Sequence, residues 1–196
     1  MSAGVLVLHP WWGLNDDVRG YAELLRGKGY KVGTPDLYHG RVATTIDGAK
    51  ALMVELGQNS KGAMTEIDEA LTKLSAQADR VAVLGWSMGV GYGWQLAAER
   101  ADVVRGLVAY YGFGEPDVAR LPPILGHFAE DDEFDSVEDV RRTERALKEH
   151  GHVAEFHVYP GTKHWFDEPS RPEFDKAASH IAWERTLAFL DTHLRR

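Results

Sequence analysis

The sequence predicts an α/β fold in which a mostly parallel sheet is covered by helices on both faces. Short apolar runs alternate along the chain with longer amphipathic segments, and this alternation is typical of parallel strands joined by helical crossovers. The 196 residues are 44% hydrophobic and 27% charged, which suits a folded chain with a substantial core. No repeat, low-complexity tract or linker interrupts the pattern. A single domain over residues 1–196 is therefore expected.

Each element of this fold follows from its local pattern. The strands are short runs rich in apolar and branched residues, at residues 4–8, 31–34, 80–84, 104–110, 124–128 and 154–158. The helices are longer segments with apolar residues at helical spacing, at residues 16–28, 46–56, 61–76, 88–100, 136–149 and 171–193. The last helix carries Ile181, Trp183, Leu187, Leu190 and Leu194. It is expected to pack these residues against the sheet.

The third predicted strand, at residues 80–84, runs into Gly85-Trp86-Ser87-Met88-Gly89, which has the pattern of a nucleophile elbow. In such an elbow the chain turns from strand to helix so tightly that only small residues fit two positions either side of the serine. The hydroxyl of Ser87 is then exposed at the top of the sheet. The pattern is short and also fits a glycine-rich turn whose serine has no catalytic role. The strand predicted before it and the helix predicted after it favour the elbow.

An acid and a histidine follow the serine in the order that hydrolases with this elbow require. Asp131 and Asp132 both lie on the loop after the strand at 124–128, and His164 follows the strand at 154–158. The carboxyl ends of parallel strands meet at one edge of a sheet, so these side chains are expected near Ser87. A serine hydroxyl needs an imidazole to take its proton, and the acid fixes the tautomer of that imidazole.

Taken together, the chain resembles the dienelactone hydrolase family of α/β-hydrolases over nearly its whole length. The likeness rests on the elbow, on the loop that carries Asp132 and on four further stretches, at residues 5–15, 34–38, 159–166 and 182–190. It implies an α/β-hydrolase fold in a minimal form with about six strands. The family spacing around the acid selects Asp132 over Asp131, with Ser136 beginning the next helix and Asp135 as a solvated charge before it.

The resemblance also implies an oxyanion hole formed by two backbone N–H groups. One belongs to Met88, the residue after the nucleophile, where the N-terminus of a helix favours negative charge. The family position of the second is Trp11, and the preceding Pro10 has no N–H to offer. The implied role of both residues is through the main chain only, and their side chains also fit a packing role.

Three departures from the family bear on the chemistry. Dienelactone hydrolases have a cysteine at the elbow, where this chain has Ser87 and contains no cysteine at all. They have a glutamate that takes part in activating the thiolate, and Pro10 occupies that position. They also bind the substrate carboxylate with an arginine four residues after the catalytic histidine, and Glu168 stands there. The last departure argues against dienelactone as the substrate.

Aromatic residues gather on the loops at the carboxyl edge of the predicted sheet and suggest an apolar substrate cleft. The residues expected to line it are Trp12, Tyr38, Trp86, Tyr111, Phe113 and Trp165. His9 and His127 also fall near this edge and fit either a structural role or a place close to the site. The pair His150 and His152 lacks a third ligand at a recognisable spacing, so no metal is expected.

Composition limits the partners. The net charge is −8 and no basic stripe is present, which argues against nucleic acid or an anionic membrane surface. No apolar run approaches the ~20 residues that span a bilayer, and the first residues lack the basic region of a signal peptide. A cytoplasmic protein without a cofactor is expected, and its oligomeric state is left open.

These observations predict a serine hydrolase that cleaves a small carboxylic ester or lactone through an acyl-enzyme on Ser87. Acyl transfer, perhydrolysis or thioester cleavage would use the same three residues with a different acceptor or leaving group. A binding protein that keeps the fold without turnover is the non-enzymatic alternative.

Overall fold

The computed structural model describes residues 2–115 and 119–195. In chain order the elements are β1 (Ala3–Leu8), α1 (Asp16–Gly27), β2 (Lys31–Gly33), α2 (Ile46–Gln58), α3 (Ser60–Ser75), β3 (Arg80–Trp86), α4 (Met88–Glu99), β4 (Val104–Tyr110), β5 (Ile124–Asp131), α5 (Val137–Glu149), β6 (Ala154–Lys163) and α6 (Lys176–Leu194). Each predicted strand and helix is present.

The six strands form one sheet in the order β2-β1-β3-β4-β5-β6, and each neighbouring pair is parallel. The chain starts at the second strand from one edge, adds β2 at that edge, and then crosses to build β3 to β6 on the other side. The carboxyl ends of the strands therefore meet at one edge, where β1 and β3 are neighbours. The predicted α/β class and parallel sheet are confirmed.

Side chains of alternate strand positions divide the core into two layers. On one face, Val5, Val7 and Leu84 pack in a cluster with α1 and α6. On the other, Leu6, Leu8 and Val83 pack with α3, α4 and α5. Because both faces of the sheet are covered, the central strands are apolar at almost every position, as parallel sheets require.

The last helix differs from its prediction at its start and at Ile181, whereas Trp183, Leu187, Leu190 and Leu194 pack against the core as predicted. It begins at Lys176 rather than at residue 171, because the side chain of Asp175 accepts the N–H groups of Ala177 and Ala178 and caps it there. Its buried residues recur every fourth position, at Ala178, Ala182, Thr186, Leu190 and Leu194. Ile181 points away and is 46% exposed.

Neither this helix nor another in the described part of the chain is long and apolar enough to cross a membrane.

Three strands extend further than predicted at their carboxyl ends, and β3 does so by two residues, to Trp86. Strand β5 continues to Asp131 and β6 continues to Lys163, and these two residues are paired. The pairing places Asp132 and His164 side by side, each as the first residue after its strand.

Candidate active site

Ser87 lies alone between the end of β3 and the start of α4. Its backbone has φ 47° and ψ −114°, in the positive-φ region that residues other than glycine rarely occupy. The turn is held by two backbone bonds: the Ser87 N–H donates to the Tyr110 carbonyl at 2.9 Å, and the Val90 N–H donates to the Ser87 carbonyl at 2.8 Å. Strand β4 and the first turn of α4 thus stabilise a strained residue that presents its hydroxyl at the edge of the sheet.

The two glycines of the elbow make the close contacts that the motif predicts. A Cβ on Gly85 would lie 2.7 Å from the carbonyl carbon of Gly89. A Cβ on Gly89 would lie 2.4 Å from the Leu8 carbonyl oxygen and 2.7 Å from that of His9. The beginning of α4 therefore rests directly on the backbone at the end of β1, and this contact sets the distance between Met88 and the loop that follows β1.

We expect Gly89→Ala to lower the free energy of unfolding by ~1–3 kcal/mol, because the new methyl group meets backbone oxygens that cannot move aside. Gly91→Ala is the matched control: it lies in the same helix, and a Cβ there meets nothing within 4 Å. That change should stabilise the protein slightly, by up to ~1 kcal/mol. Urea unfolding of both variants tests this, and equal stabilities would contradict the contact described above.

His164 bridges Ser87 and Asp132. Its Nε2 lies 3.1 Å from the Ser87 Oγ, and its Nδ1 lies 2.8 and 3.0 Å from the two carboxylate oxygens of Asp132. The side chain of His164 is 5% exposed and that of Asp132 is 0% exposed. A carboxylate can only accept, so Nδ1 carries the proton and Nε2 is left to accept the serine hydroxyl. This is the tautomer that a general base requires.

The structure separates the two aspartates that compete for the role of acid. Asp132 also accepts the N–H groups of Phe134 and Asp135, at 2.9 and 3.2 Å. Asp131 is exposed, in the strand pair with Lys163. Asp132 is thus the aspartate that the fold brings to His164.

Asp135 differs from the solvated charge that the sequence predicts. It is half-buried, and burial together with the neighbouring charge of Asp132 raises its pKa to about 6. The pattern of acids around 130–135 looks like an exposed loop, and nothing in it indicates which carboxyl turns inward.

The Met88 N–H and the Trp11 N–H lie on the two segments that Gly89 brings together. Neither amide donates to another group in the ranges that the structure describes. The loop carrying Trp11 is held by His9, whose Nδ1–H donates to the Pro10 carbonyl at 2.7 Å while its Nε2 accepts the Leu37 N–H at 3.2 Å. Burial lowers the pKa of His9, which keeps the ring neutral and able to make both bonds. His9 therefore positions the loop that carries Trp11.

Four of the aromatic residues predicted to line a cleft lie around His164 and Met88. The rings of Tyr111 and Trp165 pack against the His164 imidazole, with distances of 4.7 and 5.3 Å between ring centres. Tyr38 donates its hydroxyl to the Met88 sulfur at 3.3 Å. Trp12 lies one layer behind, with its ring 5.4 Å from that of Trp165.

The other two predicted lining residues pack away from His164. Trp86 stacks on Tyr110 and contacts Tyr21 on the α1 face of the sheet. Phe113 contacts Phe128 in the core layer on the opposite face. Residues next to one another at an elbow or strand end can point to opposite faces, which the sequence pattern does not reveal.

Two further residues adjoin the site without having been predicted there. Phe134 is 52% exposed, and its ring lies 4.6 Å from the His164 ring. The Arg171 guanidinium lies 3.9 Å from the centre of the Trp12 ring, a cation–π contact. Their positions in loops gave no periodic signal, and only proximity to Asp132 hinted at Phe134.

His127 is structural. It lies in the core and is fully buried, with Nδ1 2.8 Å from the Tyr159 hydroxyl and Nε2 3.0 Å from the Thr186 hydroxyl. Burial lowers its pKa well below the usual value. Both ring nitrogens are used in holding β5 to β6 and α6.

Among the described residues, one group of side chains could hold a metal ion: Asp132, Asp135 and His164 have ligand atoms within 4.8 Å of one another. The same atoms already serve the hydrogen bond between Asp132 and His164. A cation there would have to displace the Nδ1 proton, so the arrangement fits a hydrogen-bonded acid and base better than a metal centre.

Comparison with known proteins gives a consistent result. The model of the dienelactone hydrolase family matches residues 1–194. Carboxymethylenebutenolidase 1 of Cupriavidus pinatubonensis is 29% identical over 205 residues, covering 95% of this chain and 84% of that protein. A dienelactone hydrolase-like promiscuous phosphotriesterase from metagenomic libraries superposes with a TM-score of 0.82 at 18% identity, over 98% of this chain and 87% of that one. An α/β hydrolase enzyme from a Medee basin deep-sea metagenome library superposes with a TM-score of 0.72 at 15% identity, over 100% and 85% of the two chains.

Proposed function

The chain belongs to the dienelactone hydrolase family, and on that premise we propose that it hydrolyses small carboxylic esters or lactones through an acyl-enzyme on Ser87. One observation carries the proposal: the continuous series of contacts from the Ser87 hydroxyl through His164 to Asp132, at 3.1 and 2.8 Å. The base and the acid lie within hydrogen-bond distance of their partners, His164 has its proton on Nδ1, and the turn at Ser87 exposes the nucleophile.

In the first step His164 Nε2 takes the hydroxyl proton as Ser87 Oγ attacks the substrate carbonyl. The new C–O bond moves the carbonyl electrons onto oxygen, and Asp132 stabilises the imidazolium that forms. The amides of Trp11 and Met88 then donate to the oxyanion, aided by the N-terminus of α4.

Collapse of this intermediate breaks the bond to the leaving oxygen, which receives the proton from His164. For a lactone the leaving oxygen stays attached to the acyl group. Water then attacks the acyl-enzyme, with His164 accepting its proton, and the acid is released as Ser87 regains its hydrogen. No redox step or activated co-substrate is needed.

The surroundings of His164 favour a neutral, partly apolar acyl group. Trp165, Tyr111 and Phe134 present rings around the imidazole. Glu168, at the position where the family has a carboxylate-binding arginine, is a buried acid that accepts the Tyr111 hydroxyl at 2.9 Å. It offers nothing to a substrate carboxylate, so uncharged esters and lactones fit this site better than dienelactone.

Two measurements test the proposal together. A fluorophosphonate probe should label the wild-type protein once, on the peptide that contains Ser87, and should not label Ser87→Ala. A panel of aryl and alkyl esters of graded acyl length, with simple lactones beside it, should give turnover that depends on acyl length. Labelling without turnover of any ester or lactone would count against hydrolysis, and labelling elsewhere would count against Ser87.

The acid can be tested by a matched pair of variants. Asp132→Asn should lower kcat by about 10³- to 10⁴-fold, since an amide favours the wrong histidine tautomer. Asp131→Asn should change it by less than about twofold, because Asp131 is exposed. Steady-state assays on the same ester decide it, and a greater loss in the Asp131 variant would reverse the assignment.

A further inference from the structure

A second cavity lies on the other side of Trp86 from the elbow, between α1 and α6. Its volume is about 600 Å³. None of Ser87, Asp132, His164, Trp11 and Met88 lines it. Leu24, which is 59% exposed, belongs to its lining, so the cavity opens to solvent away from the reaction centre.

The walls of the cavity are aromatic. They include Tyr21, Trp86, Phe174 and Trp183. The Tyr21 ring is central to this group, with its centre 4.8 Å from that of Trp86 and 5.0 Å from that of Trp183, both edge to face. Aromatic faces attract cations as well as apolar groups, and more strongly where water is excluded.

Two neighbouring carboxyl groups, Asp167 and Glu168, lie in the same lining and are almost completely buried, at 5% and 2% exposure. Asp167 accepts the Trp86 indole N–H at 3.0 Å and the Ser179 hydroxyl at 2.7 Å. Glu168 accepts the Tyr111 hydroxyl through Oε1, while its Oε2 has no partner. All of these donors are neutral.

Such carboxyls are costly to ionise where they stand. Burial is the largest cause that raises the pKa of Asp167 to about 7 and that of Glu168 to about 8. Near neutral pH the unpartnered Oε2 of Glu168 carries the carboxyl proton with no group to accept it, and an unsatisfied buried polar group destabilises the protein. An entering cation would satisfy both needs, since it brings a positive charge and N–H donors.

The charged and titratable groups that line the cavity are Asp16, Asp17, Asp167, Glu168, Lys176 and His180. Four of the six are acids, so the lining becomes increasingly complementary to a cation as Asp167 and Glu168 ionise. We propose that this cavity is a second binding site, which takes a small organic ammonium compound with an aromatic or aliphatic body. The ammonium group donates to Glu168 Oε2, and the body lies between the aromatic walls.

The probe for the test is 2-phenylethylammonium, compared with the neutral 2-phenylethanol and the anion 3-phenylpropanoate. Binding is measured by isothermal titration calorimetry on the wild-type protein before and after Ser87 has been blocked by a fluorophosphonate. The ammonium should bind at least tenfold more tightly than the alcohol, and the anion should bind more weakly than either. Because binding favours ionised Glu168, the affinity should rise between pH 6 and pH 8, with release of a proton that makes the heat depend on the buffer.

Three variants locate the site. Glu168→Gln keeps the acceptor for Tyr111 and removes the charge, and it should weaken ammonium binding at least tenfold. Glu173→Gln is the matched control, because Glu173 also has a buried oxygen without a partner but does not line the cavity; it should leave the dissociation constant within about twofold. Leu24→Trp, on an exposed position, should narrow the opening and weaken binding without affecting the core.

Several outcomes would overturn the proposal. Equal affinity for the ammonium and the alcohol would make the cavity a merely apolar pocket. Unchanged binding in Glu168→Gln would remove the named contact. Binding that is lost when Ser87 is blocked would put the probe in the catalytic cleft instead.

Discussion

Ser87→Ala should reduce kcat/KM for an activated aryl ester by ~10⁴-fold or more and abolish acyl-enzyme formation. The loss follows from geometry: the Ser87 Oγ lies 3.1 Å from His164 Nε2, and no other described hydroxyl has a hydrogen bond to that ring. The amides of Trp11 and Met88 are backbone groups and stay in place. They can still polarise a bound carbonyl, so a small acceleration over water should remain.

The fold should survive this change, because the bonds that hold the elbow are made by the backbone of residue 87. Far-ultraviolet circular dichroism and the midpoint of urea unfolding, measured on the same preparation, provide the control. A correctly folded Ser87→Ala protein that kept more than a tenth of wild-type esterase activity would refute the assignment of Ser87 as nucleophile.

The second large effect concerns how the free energy of unfolding depends on pH. Ionisation of the protein's buried acids should lower the free energy of unfolding as the pH rises from about 4.5 to about 8, and Glu168→Gln should remove the part of that loss that Glu168 causes, leaving the part caused by Asp167. The pKa of Glu168 is raised from 4.5 to about 8 by burial in the folded protein. Across this interval the unfolded chain releases a proton that the folded chain keeps, so folding becomes less favourable. At about 1.4 kcal/mol for each pKa unit, the contribution of Glu168 is on the order of 5 kcal/mol.

Two histidines act in the opposite direction at lower pH. The pKa values of His9 and His127 are lowered by burial, so the unfolded state takes up protons first as the pH falls below about 6.5. The free energy of unfolding should therefore be greatest near the middle of the interval from about pH 4.5 to about pH 8. Urea unfolding of wild type, Glu168→Gln and Glu173→Gln at pH 5.5, 7 and 9 measures the difference. A Glu168→Gln protein with the pH slope of wild type would show that Glu168 ionises freely.

The order and type of the elements could be predicted because local patterns determine them. Branched apolar runs mark strands buried on both faces, and Gly85 and Gly89 mark a turn that admits no side chain. The contact of Gly89 with the backbone of Leu8 and His9 explains why glycine stands there. Helix α6 begins at Lys176 rather than at residue 171, because the capping bond of Asp175 ends a helical pattern in the sequence that begins before it.

The inward-turned acids could not be predicted. Asp135, Asp167 and Glu168 lie in stretches that read as polar loops, and acids in such stretches usually remain in water. Their burial depends on contacts between distant segments, such as the bond from Trp86 to Asp167. Likewise, the sequence could place aromatic residues near the edge of the sheet, but it could not tell that Trp86 faces α1 while Trp165 faces His164.

The pairing of Asp131 with Lys163 has a consequence for how this site can change over time. Asp132 and His164 each follow one of these paired residues, so their separation is governed by the spacing of two hydrogen-bonded strands, about 4.8 Å. Insertions or substitutions in the surrounding loops can alter what binds without pulling the acid from the base. In amide exchange, the N–H groups that bond between β5 and β6 should exchange more slowly than those of the loops around the site. New specificities can therefore arise by drift in the loops while the acid–base pair is inherited with the sheet.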